Sequence, residues 1–255
     1  MSSSAKPVFL SIVMPAYNEQ PRIEAVIREH VEAIIKLADS LDDWEIVCLD
    51  DGSRDDTTGV IERLSLENRK IRLLRHAQNK GIFQSLNDLY FNARGTHIYC
   101  TGSDGQWPAS NLLKIFPTLR AGADLVIGVR QNRRAVYSLR RRFISHGYDL
   151  LTRMLFGVAT GDAGSIKLGV RDIFVVHVIS RSPFAEAERI IRASKRRYRI
   201  QFVPIEFLPR MHGKAKGASL RNVVASVRDC FRLARQMKHE KTYQPAATRQ
   251  PGNGS

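Results

Sequence analysis

Cysteine is scarce in this chain of 255 residues: there are three, and no two form a Cys-x-x-Cys pair. Cys48 and Cys100 lie inside apolar runs, where a thiol is most simply a small core group. A disulfide framework is therefore not supported, and a reducing cytosol is the expected compartment. Long apolar runs are missing as well. No segment reaches the roughly 18 uninterrupted apolar residues of a spanning helix, and the N-terminus shows no signal-peptide core. If this chain meets a membrane, the sequence has it lying on the surface. Acidic residues are short in the second half. Residues 126–255 carry 26 Lys/Arg against 8 Asp/Glu, whereas residues 1–125 carry 14 against 17. One half can work beside carboxylates, while the other attracts anions: phosphates, an acidic membrane surface or nucleic acid.

What is present supports a folded domain. Hydrophobic residues make up 43% of the chain, enough for a sizeable core, and the length suits one large domain or a domain with an appendage. Apolar runs at 8–14, 44–49, 71–74, 97–101 and 124–128 read as strands. Between them, 21–37, the segment after Asp56 or Thr57 as cap, 82–93 and 111–119 carry helical spacing. This alternation predicts parallel βαβ units with helices on both faces of the sheet. Beyond 128 the pattern changes: a very basic helix over 137–156, strand-like runs over 165–178, a helix over 184–195 and a strand over 200–205. A Gly- and Lys-rich loop over 210–218 precedes a last helix over 220–238. The composition of 242–255 predicts a disordered tail.

Polar clusters follow four successive strands: Pro15-Ala-Tyr-Asn-Glu19, Asp50-Asp-Gly-Ser-Arg-Asp-Asp-Thr57, His76-Ala-Gln-Asn-Lys-Gly81 and Gly102-Ser-Asp-Gly-Gln106. Loops at the carboxyl ends of parallel strands line the crevice where α/β sheets bind ligands. Any one cluster alone is an ordinary turn or helix cap, but four in order after four strands form a binding edge. Tyr17 is suited to stack on a base, Asp50 or Asp51 to accept from a base or ribose hydroxyl, and Gly81 to let a backbone approach closely.

In that order the motifs resemble family 2 inverting glycosyltransferases of the GT-A fold, and within them the dolichol-phosphate-mannose synthase and polyprenyl-phosphate glycosyltransferase branch. The resemblance covers roughly residues 8–220. It implies an α/β GT-A (Rossmann-like) domain with a mostly parallel sheet, helices on both faces and a basic acceptor-side extension. A single domain over 1–241 would hold a nucleotide-sugar half (8–128), an acceptor half (129–218) and an amphipathic helix (220–238). By position, the resemblance assigns nucleotide binding to Pro15, Tyr17, Glu19, Asp51, Asn79 and Gly81. Asp104 falls on the second acid of the family's Asp-x-Asp pair and would hold Mg²⁺ or Mn²⁺, with Gln106 beside it. The first acid falls on Gly102. Magnesium retains several waters and often takes one or two carboxylates plus substrate phosphates, so loss of one acid weakens the site without abolishing it.

The basic half follows the fifth strand. Arg130 and Arg141, with Arg142 adjacent and Arg133, Arg134 and Arg140 nearby, resemble the branch's grip on an acceptor lipid phosphate, a task suited to the guanidinium fork. Lys167 matches a basic family position, and Asp162 lies near a family aspartate at slightly different spacing. Arg210 and Lys214 would neutralise the leaving diphosphate, so the expected catalytic set is Asp104, Arg130, Arg141 and Arg210. A phosphomonoester acceptor carries about −1.5 to −2 charge at neutral pH. It needs no general base, in keeping with the lack of an obvious catalytic histidine near the crevice motifs.

The resemblance implies a GDP- or UDP-linked sugar as donor, polyprenyl phosphate as acceptor, and peripheral placement on the cytoplasmic face of an anionic membrane, with room for a membrane-embedded partner. A hydroxyl acceptor, or a nucleotide-binding scaffold without turnover, remains open as an alternative. Nucleic acid is not expected, because it would leave the crevice motifs unexplained. The last helix has an apolar row of Leu220, Val223, Val224, Val227, Phe231 and Ala234 beside arginines, which suits a membrane interface and a docked core helix alike.

Overall fold

The structure, a computed structural model, describes residues 8–131, 139–209 and 220–242, without the side chains of 139–146 and 239–242. Arg210, Lys214, Arg133, Arg134 and all of the expected tail (242–255) but Thr242, which ends the last helix, lie outside the described residues. Seven strands form one sheet in the order β3-β2-β1-β4-β6-β5-β7. They are β1 (Phe9–Ala16), β2 (Asp43–Asp50), β3 (Ile71–Arg75), β4 (His97–Cys100), β5 (Leu125–Arg130), β6 (Lys167–Val170) and β7 (Ile200–Ile205). β1 pairs in parallel with β2 and β4, and β2 with β3. β6 runs antiparallel to both of its neighbours, β4 and β5, and β7 is parallel to β5.

The period-2 alternation of the strands divides the core between two faces. Leu10, Ile12 and Met14 of β1, Ile46 and Cys48 of β2, and Tyr99 of β4 face one layer. That layer is built from α1 (Ile23–Ile35), α2 (Thr57–Glu67) and α4 (Ser110–Arg120). Val13, Val47, Leu49, Ile98 and Cys100 face the other. There α3 (Ile82–Asn92) packs with α6 (Arg171–Phe174) and α7 (Phe184–Lys195). A third cluster joins α7 to α5 (Leu139–Phe156) and α8 (Leu220–Thr242) through Phe156, Phe184, Ile191, Cys230 and Leu233.

Two local expectations change. The strand-like runs over 165–178 resolve into β6 and the one-turn helix α6. The apolar residues Ile173 and Phe174 are core groups in that turn, and an apolar run this short does not separate strand from buried helix. At α2, Asp56 precedes the helix but makes no side-chain cap. The Asp55 carboxylate accepts the Thr57 N–H instead, at 3.1 Å. All three cysteines are buried and unpaired, and burial pushes the Cys48 thiol up to about 12.

His30 on α1 is fully buried in the first layer. Its Nδ1 donates to the Val26 carbonyl at 2.7 Å, and Nε2 has no hydrogen-bond partner among the described residues. Burial lowers its pKa to about 4 from 6.5, against a smaller upward pull from the Val26 bond. The folded state thus keeps the ring neutral through a range in which the unfolded chain protonates it. This contribution is complete above pH 6.5 and is lost as the pH falls toward 4, by about 3 kcal/mol. Denaturant titrations at pH 7 and pH 4.5 should show that loss in the parent chain and a shallower pH slope in His30→Leu.

Candidate active site

The first four strands are parallel, so the loops that follow them leave from one edge of the sheet. β1 lies between β2 and β4, and successive connections depart to its two sides, which opens a crevice at the switch point. The loops are bonded to one another. Asn18 adopts a left-handed backbone (φ 55°), a conformation asparagine tolerates. Its N–H donates to Ser53 Oγ at 2.9 Å, and its side-chain oxygen accepts the Arg54 N–H at 2.8 Å. The Glu19 N–H donates to Thr57 Oγ1 at 2.8 Å. Ser103 Oγ donates to the Pro15 carbonyl at 2.7 Å, which ties the fourth loop to the first.

Asp50 and Asp51 divide their work. Asp50, with no exposed surface, accepts the Ser53 N–H at 3.1 Å and the hydroxyls of Ser53 and Thr58. Asp51 reaches across to the third loop. Its Oδ1 accepts the Lys80 N–H and its Oδ2 the Gly81 N–H, each at 2.8 Å. His76 faces Asp51 Oδ1 through Nδ1 at 2.7 Å and Asp88 of α3 through Nε2 at 2.9 Å. Gly52 explains how the loops come so close. At φ +69°, a Cβ there would lie 2.7 Å from the Gln78 carbonyl carbon and 2.8 Å from the Asn79 nitrogen. Only glycine meets both demands. Asp51 is buried and serves as a staple, and exposed Asn79 follows it at the crevice.

The fourth loop carries Asp104 and Gln106. The Gln106 N–H donates to Asp104 Oδ1 at 3.1 Å, and its side-chain amide donates to the Leu208 carbonyl at 3.1 Å. Leu208 N–H returns a bond to the Gln106 carbonyl at 2.9 Å. The segment after β7 is thus laced to this loop. Trp107 packs on Phe207 with ring centroids 4.5 Å apart. The Arg130 guanidinium lies 5.3 Å from the Trp107 centroid and 5.0 Å from that of Phe207. It also forks onto Asp162, with Nε 2.5 Å from Oδ2 and Nη2 on Oδ1. The sequence motifs include His76 and Trp107 but assign neither a role, and Phe207 lies outside them; the signal present is an aromatic residue directly after Gln106.

Trp107 also bears on the acid missing at Gly102. A Cβ built on Gly102 would stand 3.1 Å from Trp107 Cδ1 and 3.4 Å from Asp104 Oδ1. The indole thus occupies space that an acidic side chain would need. Among the described residues, no three His, Cys, Asp or Glu side chains converge as a metal site. The donor set fits a divalent cation only in company with a diphosphate: one carboxylate from Asp104, with phosphate oxygens and water completing the shell.

Pro15, Tyr17, Glu19, Asp51, Asn79, Gly81, Asp104, Gln106 and Arg130 share this edge. Lys167 does not join them. It is buried, and its ammonium donates to the Ala163 and Ser165 carbonyls at 2.7 and 2.9 Å and pairs with Glu186 at 3.1 Å. Burial alone would raise the Glu186 pKa, but Lys167 and Arg189 hold it below the usual carboxylate range. The resemblance predicts an anion-binding lysine here, and the structure makes it a core charge instead. A basic residue at a strand start looks the same in sequence whichever face it takes. Arg141 and Arg142 lie on α5, with side chains outside the described residues.

A family model described as Glycosyl transferase family 2 matches residues 11–176. A dolichyl-phosphate beta-glucosyltransferase of Trichomonas vaginalis is 26% identical over 222 residues, covering 80% of this chain and 65% of that protein. An undecaprenyl-phosphate 4-deoxy-4-formamido-L-arabinose transferase of Pseudomonas fluorescens is 26% identical, covering 84% and 61%. The chain thus spans under two thirds of the length of these curated relatives. Glucosyl-3-phosphoglycerate synthase of Mycobacterium tuberculosis, solved with Mn²⁺, uridine diphosphate and glucosyl-3-phosphoglycerate, superposes with a TM-score of 0.65. It is 20% identical, with 88% of this chain and 80% of that one covered. This likeness is one of fold.

Asp51→Asn leaves one oxygen to serve two backbone N–H groups and the His76 ring. A loss of about 2–4 kcal/mol in unfolding free energy should accompany weaker nucleotide binding. Weaker binding at unchanged stability would argue against the staple. Separately, Gly102→Asp alone should not tighten Mn²⁺ binding in the presence of a nucleoside diphosphate, because Trp107 crowds the new side chain. Gly102→Asp/Trp107→Ala should tighten it by about tenfold, the direction expected for an added carboxylate, readable by calorimetry.

Proposed function

The chain belongs to glycosyl transferase family 2, and on that premise we propose an inverting transferase that moves a mannose- or glucose-type sugar from a GDP- or UDP-linked donor to a polyprenyl phosphate. The observation that carries the reading is the crevice at the switch point, where four bonded loops bring Tyr17, Asp51 and Asp104 to one edge. The names of the dolichyl-phosphate and undecaprenyl-phosphate relatives support the acceptor class.

In this reading Pro15, Tyr17, Glu19, Asn79 and Gly81 receive the nucleotide, and Asp51 fixes the loop that carries Asn79 and Gly81. A divalent cation held by Asp104 and the donor's phosphate oxygens would neutralise the leaving diphosphate. Arg210 and Lys214 add positive charge there, and Arg130, Arg141 and Arg142 orient the acceptor. The acceptor's phosphate oxygen attacks the anomeric carbon on the face opposite the diphosphate, the carbon–oxygen bond to the nucleotide breaks, and the configuration inverts. A phosphate dianion is already nucleophilic, so no side chain has to remove a proton. Placement is peripheral, on the cytoplasmic face of the membrane. Among the described residues no helix is long and apolar enough to cross a bilayer.

The Gly102 position favours one competing reading, a nucleotide-binding scaffold without turnover. The two separate in an assay with radiolabelled GDP-mannose and UDP-glucose, a short polyprenyl phosphate, and Mg²⁺, Mn²⁺ or EDTA. The proposed function predicts glycolipid that depends on metal and falls at least a hundredfold in Asp104→Ala, the scale of losing one electrostatic stabiliser of a leaving group. Tight nucleotide binding with no product from either donor would favour the scaffold.

A further inference from the structure

α8 carries two apolar faces, and the fold uses one of them. Cys230 and Leu233 are buried against α5 and α7. Asp229, the one acid among the described side chains of α8, turns to the same body. Its carboxylate accepts the Arg181 and Ser182 N–H groups at 3.0 and 3.1 Å. A second row, Leu220, Val224, Val227 and Phe231, repeats at intervals of four, three and four residues and is exposed; Val224 and Phe231 are each 53% accessible. Arg221, Arg228, Arg232 and Arg235 are exposed on the same helix. On α5, which packs against α8, Leu150 and Met154 are exposed one turn apart.

We propose that the outer face of α8, with Leu150 and Met154 of α5 beside it, docks this protein on an anionic lipid surface. The outer row is not needed for the fold, because the inner row already anchors the helix. Exposed apolar rows of this extent mark interaction sites. The charge pattern selects the occupant. A protein groove would accept the apolar row alone, whereas a leaflet rich in anionic headgroups also satisfies four arginines. Their apolar stems lie along the interface while the guanidinium groups remain among phosphates. On α8 the arginines border the apolar row rather than the docked face, and Asp229 is turned inward; on α5, Asp149 beside Leu150 is paired with Arg153. This surface lies outside the crevice and extends the proposed function by fixing how the protein meets a lipid-borne acceptor.

The test is sedimentation of the full chain with vesicles of phosphatidylcholine alone and of an equimolar mixture with phosphatidylglycerol. Neither donor nor polyprenyl phosphate is present, so the result is independent of sugar transfer. The parent chain should bind the mixed vesicles and spare the neutral ones. Val224→Ser/Phe231→Ser should weaken that binding by roughly tenfold or more, with thermal melting and nucleotide binding unchanged because both side chains are exposed. Arg228→Gln/Arg232→Gln should weaken it by roughly fivefold per arginine, and added salt should do the same to the parent. Equal binding to both vesicle types, or binding insensitive to the Val224/Phe231 pair, would overturn the inference. So would a dimer in solution that the Val224/Phe231 pair disperses while vesicles recruit nothing.

Discussion

The carboxylate of Asp51 sets the shape of the crevice. Parallel strands release their loops side by side, and nothing in sheet pairing itself holds those loops together. Here one buried carboxylate accepts two consecutive backbone N–H groups from the third loop and faces a histidine that is also bound to α3. Bonds of this kind, from N–H donors to an ionised acceptor, are among the stronger ones available to a protein. Gly52 next to it removes the side chain that would keep the backbones apart. Asn18, Ser53 and Ser103 extend the lacing to the first and fourth loops. The crevice residues are therefore carried on a frame of mutually bonded loops, the arrangement that keeps a site in one geometry.

The fourth loop shows a shift in electrostatic balance. Where a second acid would stand, there is a glycine crowded by an indole, and an arginine lies over that indole and its partner ring. The guanidinium is held by two rings and by both oxygens of Asp162, so its position is fixed before any ligand arrives. A fixed cation close to the crevice needs no reorganisation when negative charge develops nearby. The loop is poorer in negative charge than a two-acid loop would be.

Much of this was legible in the sequence because it depended on periodicity and on residue type. The apolar runs from 8 to 128 became β1 to β5 nearly as expected, since each is flanked by turn residues and all but the edge strand β3 are largely buried. The four polar loops were visible for the same reason. Three features were hidden. The direction of β6 depends on which neighbours it joins, and Lys167–Val170 carries no mark of that. At Lys167 the sequence shows the charge of this β6 residue but not its partner Glu186, 19 residues away on a helix. In sequence the last helix shows one apolar row, suited to a membrane interface or to a docked core alike. In the structure, Cys230 and Leu233 take the docked face and Phe231 does not, a division that only the position of α5 and α7 decides.

The antiparallel strand β6 has a consequence for how the chain is made. It lies between β4 and β5, so two strands close in sequence are not neighbours in the sheet. As the chain leaves the ribosome, β1 to β4 can pair as soon as they appear, but the edge of β4 stays open and β5 has no seat until residue 170 has been synthesised. Throughout that interval an unpaired strand edge invites pairing with another chain. One four-residue strand, arriving late, both closes that edge and joins the acidic half of the molecule to the basic half. A fragment ending at residue 128 would thus carry all four polar loops and lack β6 and β7, which complete its sheet.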